Sequence, residues 1–160
     1  MIAEQNYIGG EWVASETQKT FDNIDPCTGH TIATYPCSTH VEVDFAVASA
    51  RKAFEIWRSV SRVQRAEVLY RVAKLIEERT DQLAQAISME TGKNYNESIA
   101  EVNEALHMAQ YAFGSGRTPQ GESVASEISS KDSYMLRKPK GVVAIISPWN
   151  FPLAIGAFWC

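Results

Sequence analysis

The chain is poor in cysteine, and its cysteines are badly spaced for a shared task. Cys27, Cys37 and Cys160 make an odd count with no Cys-x-x-Cys pair. That argues against a disulfide framework and against a zinc site, and it reads as three reduced thiols in a cytoplasmic protein. Histidine is as sparse: His30, His40 and His107 form no metal-ligand pattern. Glu104 and His107 stand three apart on an expected helix, half of a di-iron carboxylate motif, but the other half is missing. No metal is expected. Basic charge is short too. Lys and Arg number 15 against 19 Asp and Glu, for a formal net charge of −4. The basic residues are interleaved with acids, so the basic stripe of a nucleic-acid-binding domain is absent. Residues 1–10 lack the basic and apolar regions of a secretory signal. No internal repeat or low-complexity tract is visible.

What is there begins with an apolar content of 45% in 160 residues, enough for the core of one ordinary domain. Residues 5–37 read as short strands and turns. Asn6 to Val13 flanks a Gly9-Gly10 turn with apolar residues, a hairpin signal. Phe21–Asp25 and Thr31–Tyr35 read as further strands. Helices follow. Thr39-His40-Val41-Glu42 and Ser61-Arg62-Val63-Gln64 both match a capping box. Val43, Val47, Ala50, Phe54 and Trp57 mark a face of the first helix. Val68, Leu69, Val72, Leu75 and Ile76 mark the second. A third runs from about Asp81 to Thr91 and stops at Gly92. A fourth, capped by Asn94, carries Ile99, Val102, Leu106, Ala109 and Phe113 at helical spacing. Residues 114–132 read as loop and Ser133–Lys138 as an edge strand ended by Pro139.

Gly141 to Cys160 is the most informative stretch. Val142–Ile146 runs without alternation, which predicts a strand buried on both faces. Ser147-Pro148 breaks it, and Asn150 follows on a tight turn before an apolar helical pattern. A buried strand ending in such a turn is where an open α/β sheet puts a ligand. Asn150 reads two ways: as a helix N-cap, for which Asn before Phe151-Pro152 is well suited, or as a hydrogen-bond donor to a ligand.

Ser147-Pro148-Trp149-Asn150-Phe151-Pro152 resembles the signature of the NAD(P)-dependent aldehyde dehydrogenases. Tyr7-Ile8-Gly9-Gly10-Glu11-Trp12, Asp25-Pro26-Cys27-Thr28-Gly29, Ala50-Arg51-Lys52-Ala53-Phe54 with Trp57, and Glu90-Thr91-Gly92-Lys93 are similar to further family runs, in the family's order. The resemblance implies an α/β fold, as the N-terminal portion of the aldehyde dehydrogenase fold. Residues 1–132 would form strands and a helical lobe, 133–140 a piece of the oligomerisation hairpin, and 141–160 the first strand of the cofactor domain. It implies oxidation of an aldehyde, or of a semialdehyde of amino-acid catabolism, to an acid with NAD or NADP. Asn150 would donate to the aldehyde oxygen. Ile146, Ser147, Pro148 and Trp149 would line the cofactor. Phe151, Ile155 and Phe158 would border the aldehyde tunnel, with Ile99 and Asn103 as its opposite wall. The family's nucleophilic Cys and its Glu base belong further along, so the 160-residue chain is expected to be an inactive fragment. A homo-oligomer through residues 133–159 is expected.

Two other classes compete. Gly141–Cys160 carries no charge and follows Lys138 and Lys140, so it has the length of a membrane anchor for a helical adaptor. Pro148, Asn150 and Pro152 in its middle oppose that reading. The chain could instead be a non-catalytic assembly partner, inserting Ser133–Lys138 into a full-length protomer.

Overall fold

The computed structural model describes residues 2–3 and 5–158, with side chains from residue 5 to residue 157. Short strands come first. β1 (Ile2–Ala3) runs parallel to β5 (Thr31–Pro36), which pairs antiparallel with β4 (Thr20–Ile24). β2 (Asn6–Ile8) and β3 (Glu11–Val13) form the expected hairpin across Gly9-Gly10, both at positive φ as a two-residue turn requires.

Four helices follow: α1 (His40–Trp57), α2 (Arg62–Glu78), α3 (Thr80–Thr91) and α4 (Tyr95–Ser115). Thr39 caps α1 in a complete capping box. The Glu42 carboxylate does more than close that box. It accepts from the Thr39 N–H at 2.7 Å and the Thr39 hydroxyl, and reaches out to the Ser15 hydroxyl at 2.7 Å and the Glu16 N–H at 2.8 Å. One buried side chain thus pins the start of α1 to the segment after β3. The second box is only half formed. Ser61 Oγ accepts from the Gln64 N–H, but the Gln64 side chain takes the Ser61 hydroxyl rather than the Ser61 N–H. α3 ends at Gly92 in the left-handed conformation, φ +72°, and Asn94 Oδ1 caps α4 through the Asn96 N–H.

The core is the helical lobe. α2, α3 and the short α5 (Pro152–Phe158) all pack on α4. Ala73 and Ile76 of α2, Ala84 and Ile87 of α3, Val102, Ala105 and Ala109 of α4, and Ala154 of α5 are buried together. Five of these eight are alanines, which lets the helix axes approach closely.

Several expectations change here. The first-helix stripe is not core: Val43, Val47 and Trp57 are exposed, because among the described residues little packs on α1. On α2 the buried face runs through Ala66, Ala73 and Ile76, while Val72 and Leu75 face outward. Residues 114–132 are not all loop. β6 (Gly121–Val124) pairs with β7 (Ser133–Leu136) as an antiparallel hairpin. Its Gly-Glu-Ser-Val sequence has no apolar alternation to announce it.

Val142–Ile146 forms no strand, and Val142, Val143, Ile145 and Ile146 are exposed. A strand exists by pairing with a neighbour, and no described residue pairs with this segment. Residues 139–148 have no helix, α5 is 7 residues long, and no helix among the described residues is long and apolar enough to cross a membrane.

The Glu42 bonds carry a pH signature. The Thr39 hydroxyl first, then the Ser15 hydroxyl and the Glu16 and Thr39 N–H groups, hold its carboxyl well below the usual carboxylate range. The unfolded chain takes up that proton near pH ~4.3, whereas the folded chain resists to lower pH. The stabilisation is therefore complete above the unfolded value and is lost as pH falls toward the folded one. Glu42→Gln should lower the urea midpoint at pH 7, and its gap to the parent should narrow as pH drops below ~4.3. A gap constant from pH 7 to pH 2.5 would count against this assignment.

Candidate active site

The site begins with a charged residue on a buried helix face. Ser98, Glu101, Val102, Ala105 and Ala109 are the buried positions of α4. Glu101 is 1% exposed and its side chain is fully enclosed. A carboxylate there is tolerable only if its oxygens are paired, and both are. Oε2 meets Lys93 Nζ at 2.6 Å. Oε1 accepts from the Leu153 N–H at 2.9 Å and from the Ala154 N–H at a longer 3.5 Å. Those amides belong to the first turn of α5, where N–H groups have no partner within the helix. Glu101 supplies the acceptor from α4, and its negative charge suits the positive end of the helix dipole. Pro152, the first residue of α5, needs no acceptor at all.

Lys93 lies in the link between Gly92 and α4. Besides Glu101 it donates to the backbone carbonyl of Asn150 at 2.5 Å, and its ammonium sits 4.7 Å from the centre of the Phe151 ring. A cation over a ring face is attractive, by about 0.5–2 kcal/mol depending on desolvation. Lys93 and Glu101 together join the α3–α4 corner to a turn more than fifty residues later. That turn is closed by the Phe151 N–H on the Pro148 carbonyl at 3.3 Å.

The joined elements form the walls of an open cavity of about 910 Å³. On the α4 side it is lined by Glu97, Ala100, Glu101, Glu104 and Met108, with Lys93 at the corner. Asn150, Phe151, Ala154 and Ile155 line the other side. Among the described residues, no hydrogen bond uses the Asn150 carboxamide. The helix-cap role open to Asn150 is filled by Glu101, which takes the α5 amides itself.

The expected site residues divide. Asn150, Phe151 and Ile155 come together on the cavity. Ile99 and Asn103 do not reach it. Ile99 packs on the helical core and Asn103 is exposed elsewhere. Ala100 and Glu104, one position further along α4, line the cavity instead, since one residue turns a helix by about 100°. Ile146 and Trp149 are 94% and 84% exposed, Ser147 is exposed, and Pro148 is half-buried; none of the four lines the large cavity. Ile146 and Ile155 share a neighbouring depression of about 610 Å³. The Phe158 side chain lies outside the described residues. Sequence reasoning missed Lys93, Glu97, Ala100, Glu101, Glu104 and Met108. One signal was present: Glu101 shares the spacing of Ser98 and Ala105, which puts a charge on the buried face.

Known proteins show the same plan. Residues 12–159 match the aldehyde dehydrogenase family. Malonate-semialdehyde dehydrogenase 2 of Oceanobacillus iheyensis is 39% identical over 151 residues, which cover 94% of this chain and 31% of that protein. The structure of a betaine aldehyde dehydrogenase double mutant from Staphylococcus aureus, in complex with NAD+, superposes with a TM-score of 0.90. It is 32% identical, over 98% of this chain and 32% of that one. An NADP-dependent enzyme from E. coli superposes at 0.91 with 28% identity, again over 98% and 32%. The chain therefore spans about a third of the length of the proteins it matches, and its mixed helix and strand architecture corresponds to the N-terminal part of their fold. By the match over nearly its whole length, the chain belongs to the aldehyde dehydrogenase family.

Proposed function

We propose that this chain supplies one wall of an active site that oxidises an aldehyde to a carboxylic acid with NAD or NADP, and that Asn150 is its oxyanion donor. The observation that carries the reading is that Asn150 lines the cavity and that, among the described residues, no hydrogen bond uses its carboxamide, while Glu101 caps α5 in its stead. In thiolate addition to an aldehyde, negative charge develops on the carbonyl oxygen. A carboxamide N–H directed at that oxygen stabilises it, and removing such a donor costs about 2.7–4 kcal/mol. An amide does this without adding a charge.

Neither Cys27 nor Cys37 lines the cavity, and Cys160 lies outside the described residues. We assign the nucleophile and the water-activating base to other parts of a family-length protein, so these 160 residues alone should oxidise no aldehyde. Ile146 and Trp149 present apolar, solvent-facing surface beside the Asn150 turn, which suits the ribose and ring of a nicotinamide nucleotide. When bound, that group accepts the hydride leaving the aldehyde carbon. The free, exposed thiols of Cys27 and Cys37 support a reducing, cytoplasmic setting.

The relatives' name makes malonate semialdehyde the first substrate to test. The cavity wall favours a second class. Glu97 and Glu104 both line it, while the Lys93 ammonium is already paired with Glu101. A carboxylate on the aldehyde, as in malonate semialdehyde, would meet like charge, worth ~1 kcal/mol at 4 Å in water and ~4 kcal/mol at an effective dielectric of 20. A neutral or amine-bearing aldehyde avoids that cost.

Residues 133–159 support self-association. Tyr134 and Leu136 of β7 and Val143 and Ile146 beyond it are exposed, and apolar surface of this kind is a usual interface.

In a family-length protein carrying this sequence, Asn150→Ala should lower kcat by ~100-fold or more with cofactor affinity unchanged. A kcat within a few-fold of the parent would refute the donor role. In the same protein Glu104→Gln should raise kcat/KM for malonate semialdehyde by ~5–10-fold relative to a neutral aldehyde; unchanged selectivity removes the charge argument. In light scattering the 160-residue chain should associate at high micromolar concentration, and Ala144→Lys should make it more monomeric. A monomeric parent chain sinks that reading.

A further inference from the structure

We infer that Lys93 and Glu101 are positioning residues for Asn150: the buried pair holds the backbone from which the Asn150 carboxamide projects. The inference rests on the reading of Asn150 as the oxyanion donor and adds the device that aims it. Asn150 is exposed on a turn whose own closure is one 3.3 Å bond from the Phe151 N–H to the Pro148 carbonyl. Such a turn, left alone, has little to fix it. Lys93 reaches both sides of the Asn150–Phe151 peptide, with a 2.5 Å bond to the Asn150 carbonyl and the Phe151 ring 4.7 Å from its ammonium. Lys93 is itself fixed by Glu101, at 2.6 Å, and its side chain is only 16% exposed. Glu101 then holds the next residues through the Leu153 N–H.

The chain of contacts therefore runs from the packed face of α4, through two charges, to the carbonyl of Asn150. A carbonyl held by an ammonium fixes ψ of Asn150, and a ring held over the same ammonium fixes the residue that follows. The Cβ direction of Asn150 follows from its backbone. Displacement of about 1 Å in a catalytic group costs on the order of 100-fold in rate, so restraint of this peptide has a direct kinetic value. Simple space-filling would need no charge at either position.

The test uses the 160-residue chain labelled with 15N, at a concentration below that at which light scattering shows association. In the parent, the backbone amides of Asn150, Phe151 and Leu153 should have order parameters of roughly 0.8 or above, as in rigid backbone. Lys93→Met keeps the length of the side chain and removes its charge. It should lower the Asn150 and Phe151 values below ~0.6 and leave Val102 and Ala105 unchanged. Lys93→Arg should restore them. If Lys93→Met does not fold, Glu101→Gln keeps an acceptor for the Leu153 N–H while removing the charge that holds Lys93, and should loosen the same residues. In a family-length protein Lys93→Met should then lower kcat at least tenfold with KM for cofactor unchanged. Unaltered order parameters at Asn150 and Phe151, loosening spread equally to Val102 and Ala105, or an unchanged kcat despite a loosened turn would each overturn the inference. Failure of Asn150→Ala to affect kcat would instead remove the donor reading, and the order parameters would still report whether the pair fixes the turn.

Discussion

Glu101 puts a carboxylate where water does not reach it, and the arrangement of the site follows from how that charge is satisfied. Removing one partner of a buried ion pair costs about 3–5 kcal/mol, so the groups around Glu101 have little freedom to be elsewhere. Its partners come from two distant places, the Lys93 corner and the amides of Leu153 and Ala154. Satisfying one side chain therefore requires the α3–α4 link and the start of α5 to meet on α4. Ala154, beside that contact, joins the alanine-rich core and fixes how deeply α5 sits.

This division of labour explains why Asn150 is available. A polar residue just before a short helix would ordinarily be consumed by the orphan amides of the first turn. Here those amides are taken from across the helix interface, and among the described residues no hydrogen bond uses the carboxamide. The same contact puts a cation against the Asn150 carbonyl and Phe151 ring. Capping, pairing and ring contact are thus one network, and its members act through each other rather than additively.

Away from that network the chain is less enclosed. α1 is anchored at its start by Glu42 and carries exposed apolar residues along its length. The β6–β7 hairpin is exposed throughout, and residues 142–146 have no strand partner among the described residues. These surfaces lie in a chain that covers about a third of the length of its relatives.

The sequence by itself determined what depends on neighbours in the chain. Capping at Thr39 and Asn94, the stop at Gly92, the Gly9-Gly10 hairpin and the helical stripe of α4 are local matters of backbone partners and side-chain period, and they are legible residue by residue. The Pro148–Pro152 run pointed to the turn at which Asn150 and Phe151 line the cavity, because a turn between an apolar run and a helix stands out in the sequence. Tertiary structure decided the rest. Whether Val142–Ile146 is a strand depends on a partner, which no residue within it encodes. Which face of α4 meets the cavity turns on one residue of register, so Ala100 and Glu104 stand where Ile99 and Asn103 were expected. The link of Lys93 and Glu101 to Asn150 spans about half a hundred positions and exists only because burial forces a charge to find its partners.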